Sequence, residues 1–261
     1  MKKYALLGID LQNDFVLPTG ALSVPNAMED ADRIAAFIRN NSDKIKHISL
    51  TLDSHYPIHI AHPSYWKDKN GNQPALFTNI TLADVKNGTW VAQYDPMGAL
   101  RYLEELEKNG GKHTIWPPHC ISGSDGWAIV KQVKEAVDEW CLNNATFYNL
   151  CFKGEHPSTE HYSIFKAAVV IPNQRGTNFN HDLIRILSVY DEIIIFGEAA
   201  THCVRQSLND ILEVVPDLAK KLTVLTDCMS PIGTIDYDTD EVYVKAKNMG
   251  VKFVKSTDII L

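Results

Sequence analysis

The chain has 261 residues, 45% of them hydrophobic and 22% charged, with a formal net charge of −7. That size and balance describe a folded globular protein and exclude a disordered or fibrous one. The acidic balance, with no cluster of lysines and arginines, argues against nucleic acid or an anionic membrane as partner, since either calls for a basic stripe.

From the N-terminus, Met1-Lys2-Lys3 is followed by only six largely apolar residues before Asp10, too few for a signal peptide, and no later run is long enough to span a membrane. Five cysteines at irregular spacing, without a CxxC pair, suit a reducing compartment, so a cytoplasmic protein is expected. Short apolar runs bounded by polar turns predict strands at residues 4–9, 47–52, 145–152, 192–196, 222–226 and 251–254. Apolar positions at helical spacing predict helices over 26–40, 127–141, 202–215 and 239–249, the last stopped by Gly250. The alternation implies a three-layer α/β/α fold around a mainly parallel six-stranded sheet, in one domain over 1–261 because no Pro/Gly/Ser-rich linker divides it. Residues 61–112 break the rhythm and read as an insertion. They are rich in Pro, Asn, Gly and Trp and carry one helix, 96–108, with Leu100, Leu103 and Leu106 inward. Trp66, Trp90 and Tyr94 there suit either a satellite core or a substrate cage. No GxGxxG phosphate loop is present, which weakens a nucleotide-binding reading.

In an open α/β sheet the site lies beyond the carboxyl ends of the strands. Those ends carry Asp10, Asp53-Ser54-His55, Lys153-Gly154 and the turn Gly197 to Cys203. Cys203 sits where a strand breaks into a helix, beside free backbone N–H groups and the positive end of the helix dipole. A buried structural cysteine is the bland alternative. A free thiol, with a pKa of about 8.5, needs a base or cation to activate it. Asp10 suits the base, and Lys153 suits the cation that keeps Asp10 ionised and favours the thiolate. Asp53, His55, His59 and His62, with His119 on the proline-braced turn Trp116-Pro117-Pro118-His119, offer one carboxylate and several imidazoles, a set that binds zinc, iron or manganese.

The motifs Asp10-x-Gln12-Asn13-Asp14-Phe15, Gly20-Ala21-Leu22, Asp53-x-His55, Trp116 to Gly123, Phe152-Lys153-Gly154 and Thr201-His202-Cys203-Val204-Arg205-Gln206 occur in one order along nearly the whole chain. In that set the chain resembles the nicotinamidase/pyrazinamidase group of isochorismatase-like cysteine hydrolases. The resemblance implies an Asp10, Lys153, Cys203 triad and a divalent metal, zinc first, on Asp53, His55 and His119. His59 fits an additional ligand, with His62 close enough to compete. It further implies an oxyanion hole from the backbone N–H groups of Ala199 and Cys203, a cis peptide leading into Ala199, and a ring pocket of Phe15, Trp116 and Tyr162. The implied activity is hydrolysis of nicotinamide or a related aromatic carboxamide through a thioester, in NAD salvage. The expected partner is a small amide, with self-association left open. A hydrolase of the same superfamily acting on a different amide is the second reading. A silent ligand-binding relative is the third, although such a relative would have lost a triad residue and none is lost. Two departures lie beside the nucleophile. Glu198 stands where an aliphatic residue is usual, and Ala200-Thr201 where Thr-Asp is common. Glu198 either meets His202, Arg205 or a substrate cation, or points away and pairs locally.

Overall fold

The computed structural model describes residues 2–259 and 261. Six parallel strands form the central sheet: β1 (Tyr4–Ile9), β2 (Ile45–Asp53), β3 (Asn149–Lys153), β4 (Glu192–Gly197), β5 (Leu222–Leu225) and β6 (Lys252–Val254). Their order is β6-β5-β4-β1-β2-β3, with every pairing parallel. The chain therefore winds outward from β1 in two directions, and the crevice between β1 and β4 is where the winding reverses.

The helices of eight residues or more are α1 (Ala27–Asn40), α2 (Pro96–Lys108), α3 (Lys131–Asn144), α4 (His181–Ser188), α5 (Cys203–Val214) and α6 (Glu241–Met249). Strands β1 and β4 are buried on both faces, which is why they read as unbroken apolar runs. Successive side chains alternate between two cores. Ala5, Leu7, Ile9, Ile193 and Ile195 pack with Val204, Leu208 and Ile211 of α5 and Val242 of α6. Leu6, Ile194 and Phe196 pack on the other face with Ile34 and Ile38 of α1 and Val133, Val137 and Trp140 of α3. Among the described residues no helix is long and apolar enough to cross a membrane.

Two boundaries depart furthest from the sequence pattern, and one helix lies outside it. Helix α3 starts at Lys131, not Trp127, because the residues before it turn and then bridge to the segment after β1: Asn13 N–H donates to Ala128 O and Val130 N–H to Leu11 O, both at 2.9 Å. Strand β3 starts at Asn149, because Ala145 ends α3 in a left-handed conformation and Phe147 stays 83% exposed. Helix α4, with Leu183, Ile184 and Leu187 inward and Asn180 capping Leu183 N–H, was not anticipated.

The 61–112 segment builds its own core. Trp66–Lys67 pairs with Val91–Ala92, Asn79–Ile80 pairs with His113–Thr114, and a short helix covers Leu82–Lys86. The helix at 96–108 is present, but Leu100 is only half-buried, and Ala99 and Tyr102 join Leu103 and Leu106 inside. Trp66 is fully buried in this satellite core and Trp90 packs against it, while Tyr94 is half exposed beside Tyr65, so the substrate-cage alternative does not hold.

Candidate active site

The site occupies the crevice between β1 and β4, at the carboxyl ends of the strands. Asp10 follows β1 in a left-handed conformation (φ 50°), which a non-glycine residue adopts only when its surroundings compel it. Thr51 on β2 supplies that compulsion: its hydroxyl accepts from Asp10 N–H at 3.0 Å and donates to Asp10 Oδ1. Gln12 locks the two strand ends together, its amide donating to Asp53 O at 2.8 Å and accepting from Asp53 N–H at 2.7 Å. Asp14 ties on the turn that carries His119, accepting from Cys120 N–H at 2.7 Å.

Lys153, the last residue of β3, is fully buried at the centre. Its Nζ lies 3.0 Å from Asp10 Oδ2, 3.2 Å from Asp53 Oδ1 and 3.6 Å from Cys203 Sγ, and donates to His161 O at 2.9 Å. The three residues picked from separate strand ends thus meet at one ammonium. Burial opposes that charge, but the carboxylates of Asp10 and Asp53 outweigh it and hold Lys153 well above its ordinary value. Burial likewise raises Asp10, with Lys153 pulling it down and Asp53 adding to the rise. Burial pushes the Cys203 thiol well up, against the pull of Lys153. Cys203 therefore rests as a neutral thiol, and any attack by its sulfur requires the proton to pass to a neighbour. Asp10, held on the same Lys153 ammonium as the Cys203 sulfur, is the acceptor at hand.

Cys203 opens α5, so its N–H is one of the four at a helix start that have no intrahelical acceptor. Among the described residues neither Ala199 N–H nor Cys203 N–H meets an acceptor. The peptide between Glu198 and Ala199 is cis, as the resemblance implies. Gly197 has φ 122°, and a Cβ there would lie 2.0 Å from Ile9 O, so only glycine lets β4 approach β1 so closely before the turn.

Asp53 joins this triad to a cluster of imidazoles. While Oδ1 faces Lys153, Oδ2 lies 3.1 Å from His55 Nε2 and 3.6 Å from His119 Nε2. Burial opposes ionisation of Asp53, yet His55 and Lys153 hold its carboxyl well below the usual range. His55 Nδ1 faces Gly154 O at 3.2 Å and His119 Nδ1 faces Pro117 O at 2.8 Å. A carbonyl can only accept, so each ring carries a hydrogen on Nδ1 and turns Nε2 toward Asp53, the atom it has to offer a cation. Gly154 permits this approach: with φ 78°, its Cβ would fall 2.5 Å from Asp53 Oδ1 and 2.8 Å from the His55 ring.

His59 and His62 complete the cluster, their ring centres 4.0 and 5.1 Å from that of His55. Both are buried, and burial pushes His62 down to about 2 and His59 well below its usual value. The nitrogens His55 Nε2, His59 Nε2, His62 Nδ1 and His62 Nε2 have no hydrogen-bond partner. Two sets, Asp53–His55–His119 and His55–His59–His62, each bring their ligand atoms within 4.8 Å of one another. Buried imidazole lone pairs converging on a carboxylate fit a divalent cation. His59 differs from His62 in one respect: its Nδ1 accepts from Ala61 N–H at 3.3 Å, which puts its own hydrogen on Nε2.

A narrow cavity runs from Cys203 and Ala199 to Asp53 and His119, walled by Phe15, Trp116 and Tyr162. Trp116 Nε1–H donates to the Tyr162 hydroxyl at 3.0 Å, bracing two walls. Leu22 and His202, from the Gly20-Ala21-Leu22 and Thr201 to Gln206 motifs, also line it, as do Glu160 and Ile232, which no motif marked. Gln12, Thr51 and Asp14 were also missed as supports. Gln12 and Asp14 lie inside the Asp10 to Phe15 motif, and Thr51 sits two residues before Asp53 on the same face of β2, so that much was visible in the sequence. Glu198 does not enter the cavity. Its Oε2 accepts from Ser230 N–H at 3.1 Å and its carboxyl meets Asp30 of α1. The suggested partners are engaged elsewhere: Arg205 pairs with Asp240 at 2.8 Å and Glu241 at 3.1 Å, and His202 Nδ1 contacts the Thr201 hydroxyl at 2.8 Å.

No family model matches the chain. It is 27% identical to the nicotinamidase of Saccharomyces cerevisiae over 242 residues, 93% of either chain. The structure of the yeast nicotinamidase bound to the inhibitor nicotinaldehyde superposes with a TM-score of 0.66 at 22% identity, covering 97% of this chain and 99% of that one. The pyrazinamidase of Pyrococcus horikoshii in complex with zinc gives a TM-score of 0.57 at 23% identity, covering 97% and 98%.

Proposed function

We propose that this chain, which has the fold of the nicotinamidases and resembles them in sequence along nearly its whole length, is a metal-dependent cysteine amidohydrolase that converts nicotinamide, or a close aromatic carboxamide, to the acid and ammonia. The observation that carries the reading is Lys153 Nζ within reach of Asp10, Asp53 and Cys203 at once, since it couples the nucleophile and its base to the carboxylate of the histidine cluster.

In this reading Asp10 accepts the Cys203 proton as the thiol attacks the carboxamide carbon. The Ala199 and Cys203 N–H groups take the developing oxyanion, each worth roughly 10² to 10³ in rate. Lys153 stays protonated and balances the charge that passes from Asp10 to sulfur and oxygen. Asp10 then returns the proton to the leaving ammonia, and a water deprotonated by Asp10 releases the acid from the thioester. Phe15, Trp116 and Tyr162 hold the ring and keep the site dry. Asp53, His55 and His119 hold the metal, and of the two loop histidines His62 is the better further ligand because both its nitrogens are free of hydrogen bonds. When bound, the divalent ion, zinc in the first instance, supplies a Lewis acid that fixes the pyridine nitrogen and so orients the substrate. A cytoplasmic setting accords with the cysteines, which are all free.

Ammonia release from nicotinamide, pyrazinamide and aliphatic amides, with metal analysis of the same preparation, tests this. Turnover of the aromatic amides that disappears in Cys203→Ala is expected. Fully metallated protein that leaves nicotinamide intact overturns the substrate, and activity surviving in Cys203→Ala overturns the mechanism.

A further inference from the structure

Glu198 immediately precedes the oxyanion-hole residue Ala199 and is fully buried, yet its side chain turns away from the cavity toward α1. One oxygen, Oε2, accepts from Ser230 N–H. The other, Oε1, is buried with no donor, and so is Oδ2 of Asp30, the carboxyl it meets on α1. Two buried acceptor oxygens on neighbouring carboxyls, neither with a donor, are both satisfied if one hydrogen is shared between them. Asp30 Oδ1 is already paired with the Arg33 guanidinium at 2.5 Å, and Arg33 Nε–H donates to Asp227 O. With the cation on the Asp30 side of the contact, the proton's place is on Glu198.

We propose that Glu198 is a positioning residue for the oxyanion hole: its carboxyl clamps the Gly197 to Ala200 turn between Asp30 on α1 and Ser230 N–H. The rest of the turn is held from the backbone, by Gly197 N–H to Cys228 O at 2.9 Å, Glu198 N–H to Ile9 O at 2.8 Å and Ala200 N–H to Ser230 O at 2.8 Å. The side-chain clamp is the one that reaches the helix layer. Burial, with the Asp30 carboxylate beside it, holds the Glu198 carboxyl well above the ordinary range, and Arg33 opposes this weakly. Tyr237 and Cys228 are the remaining titratable groups at this contact, and burial raises both, so each stays neutral. An aliphatic residue at 198 would leave Asp30 Oδ2 and Ser230 N–H without partners, which is why an acid beside the nucleophile need not touch substrate.

Glu198→Gln and Glu198→Leu separate the possibilities. Glutamine keeps both links, its amide N–H donating to Asp30 and its oxygen accepting from Ser230, whereas leucine keeps neither. Expected are a kcat within about threefold of wild type for glutamine and a fall of roughly 10- to 100-fold for leucine, below the 10² to 10³ of a deleted oxyanion donor. KM should move little in either. Alkylation of Cys203 by iodoacetamide, which needs no oxyanion hole, should keep its wild-type rate in both. The infrared carbonyl band of a protonated carboxyl should be present in wild type and absent in Glu198→Gln. Wild-type kcat in Glu198→Leu, an equal fall in both variants, or no such band difference overturns the inference. The kinetic arm rests on the amidohydrolase reading, but the band does not. Wild-type protein without turnover therefore sinks that reading and leaves the shared proton decided by the spectrum, as it also is if Glu198→Leu fails to fold.

Discussion

The triad and the histidine cluster share Asp53 but are built in opposite ways. Around Lys153 every charge has a partner inside the chain: Asp10, Asp53, the His161 carbonyl and the Cys203 sulfur surround one ammonium. Around His62 the chain supplies no partner, and four imidazole nitrogens point at nothing but one another and Asp53. Protein interiors rarely leave buried nitrogens in that state, so the difference separates a self-contained charge cluster from a receptor for something brought from outside. His113 makes the same point from the satellite core. It is as buried as His62, but its Nε2 faces Ile60 O at 3.0 Å and its Nδ1 the Tyr102 hydroxyl at 3.3 Å.

The largest effect should come from breaking the self-contained half. Lys153→Met leaves Asp10 and Asp53 buried together without a cation, which should cost about 3 to 5 kcal/mol in urea unfolding. Turnover should fall by at least about 10³-fold. A stable, active Lys153→Met would mean that the carboxylates find another counter-charge. Filling the other half comes next: zinc added to chelator-treated protein at 100 to 1,000 times its Kd should raise stability by about 3 to 4 kcal/mol. Stability unchanged by zinc would leave the orphaned nitrogens unexplained. Acid should then distinguish His113 by its pKa of about 4. Because its folded value is depressed, the stability it contributes is complete above the unfolded value of about 6.5 and drains away as pH falls from there to about 4, by roughly 3 kcal/mol in total. Urea midpoints between those pH values should fall less steeply in His113→Gln than in wild type, with metal content equal in the two. The smallest effect sharpens the cluster itself. His62→Ala should weaken zinc binding by about 10- to 100-fold, and His59→Ala by less, in a competition titration against a chromophoric chelator. The reverse order would show that His59 gives up its bond to Ala61 and ligates instead.

Much of the scaffold was legible because its signals are local. Apolar runs at 4–9 and 192–196 mark strands buried on both faces, and the helix at 96–108 has the predicted ends. Boundaries went astray where a distant segment intervened, as at Trp127 to Val130, which turn and then bridge to the segment after β1 instead of starting the helix. Helix α4 was missed because its eight residues carry only three inward apolar positions, too few to stand out as a period.

The sequence by itself determined the chemistry available: an acid, a lysine and a cysteine at three strand ends, a carboxylate and histidines in the motif spacing of an amidohydrolase, and alternation that makes a parallel sheet. Only the tertiary structure decided the pairings. That Lys153 touches both Asp10 and Asp53, and that Glu198 turns away from the cavity to Ser230 N–H, depend on residues tens to more than a hundred positions apart. Local sequence encodes periodicity and turn geometry, but the partner of a buried charge is chosen by which layers the fold packs together, where an unpaired group is too costly to persist.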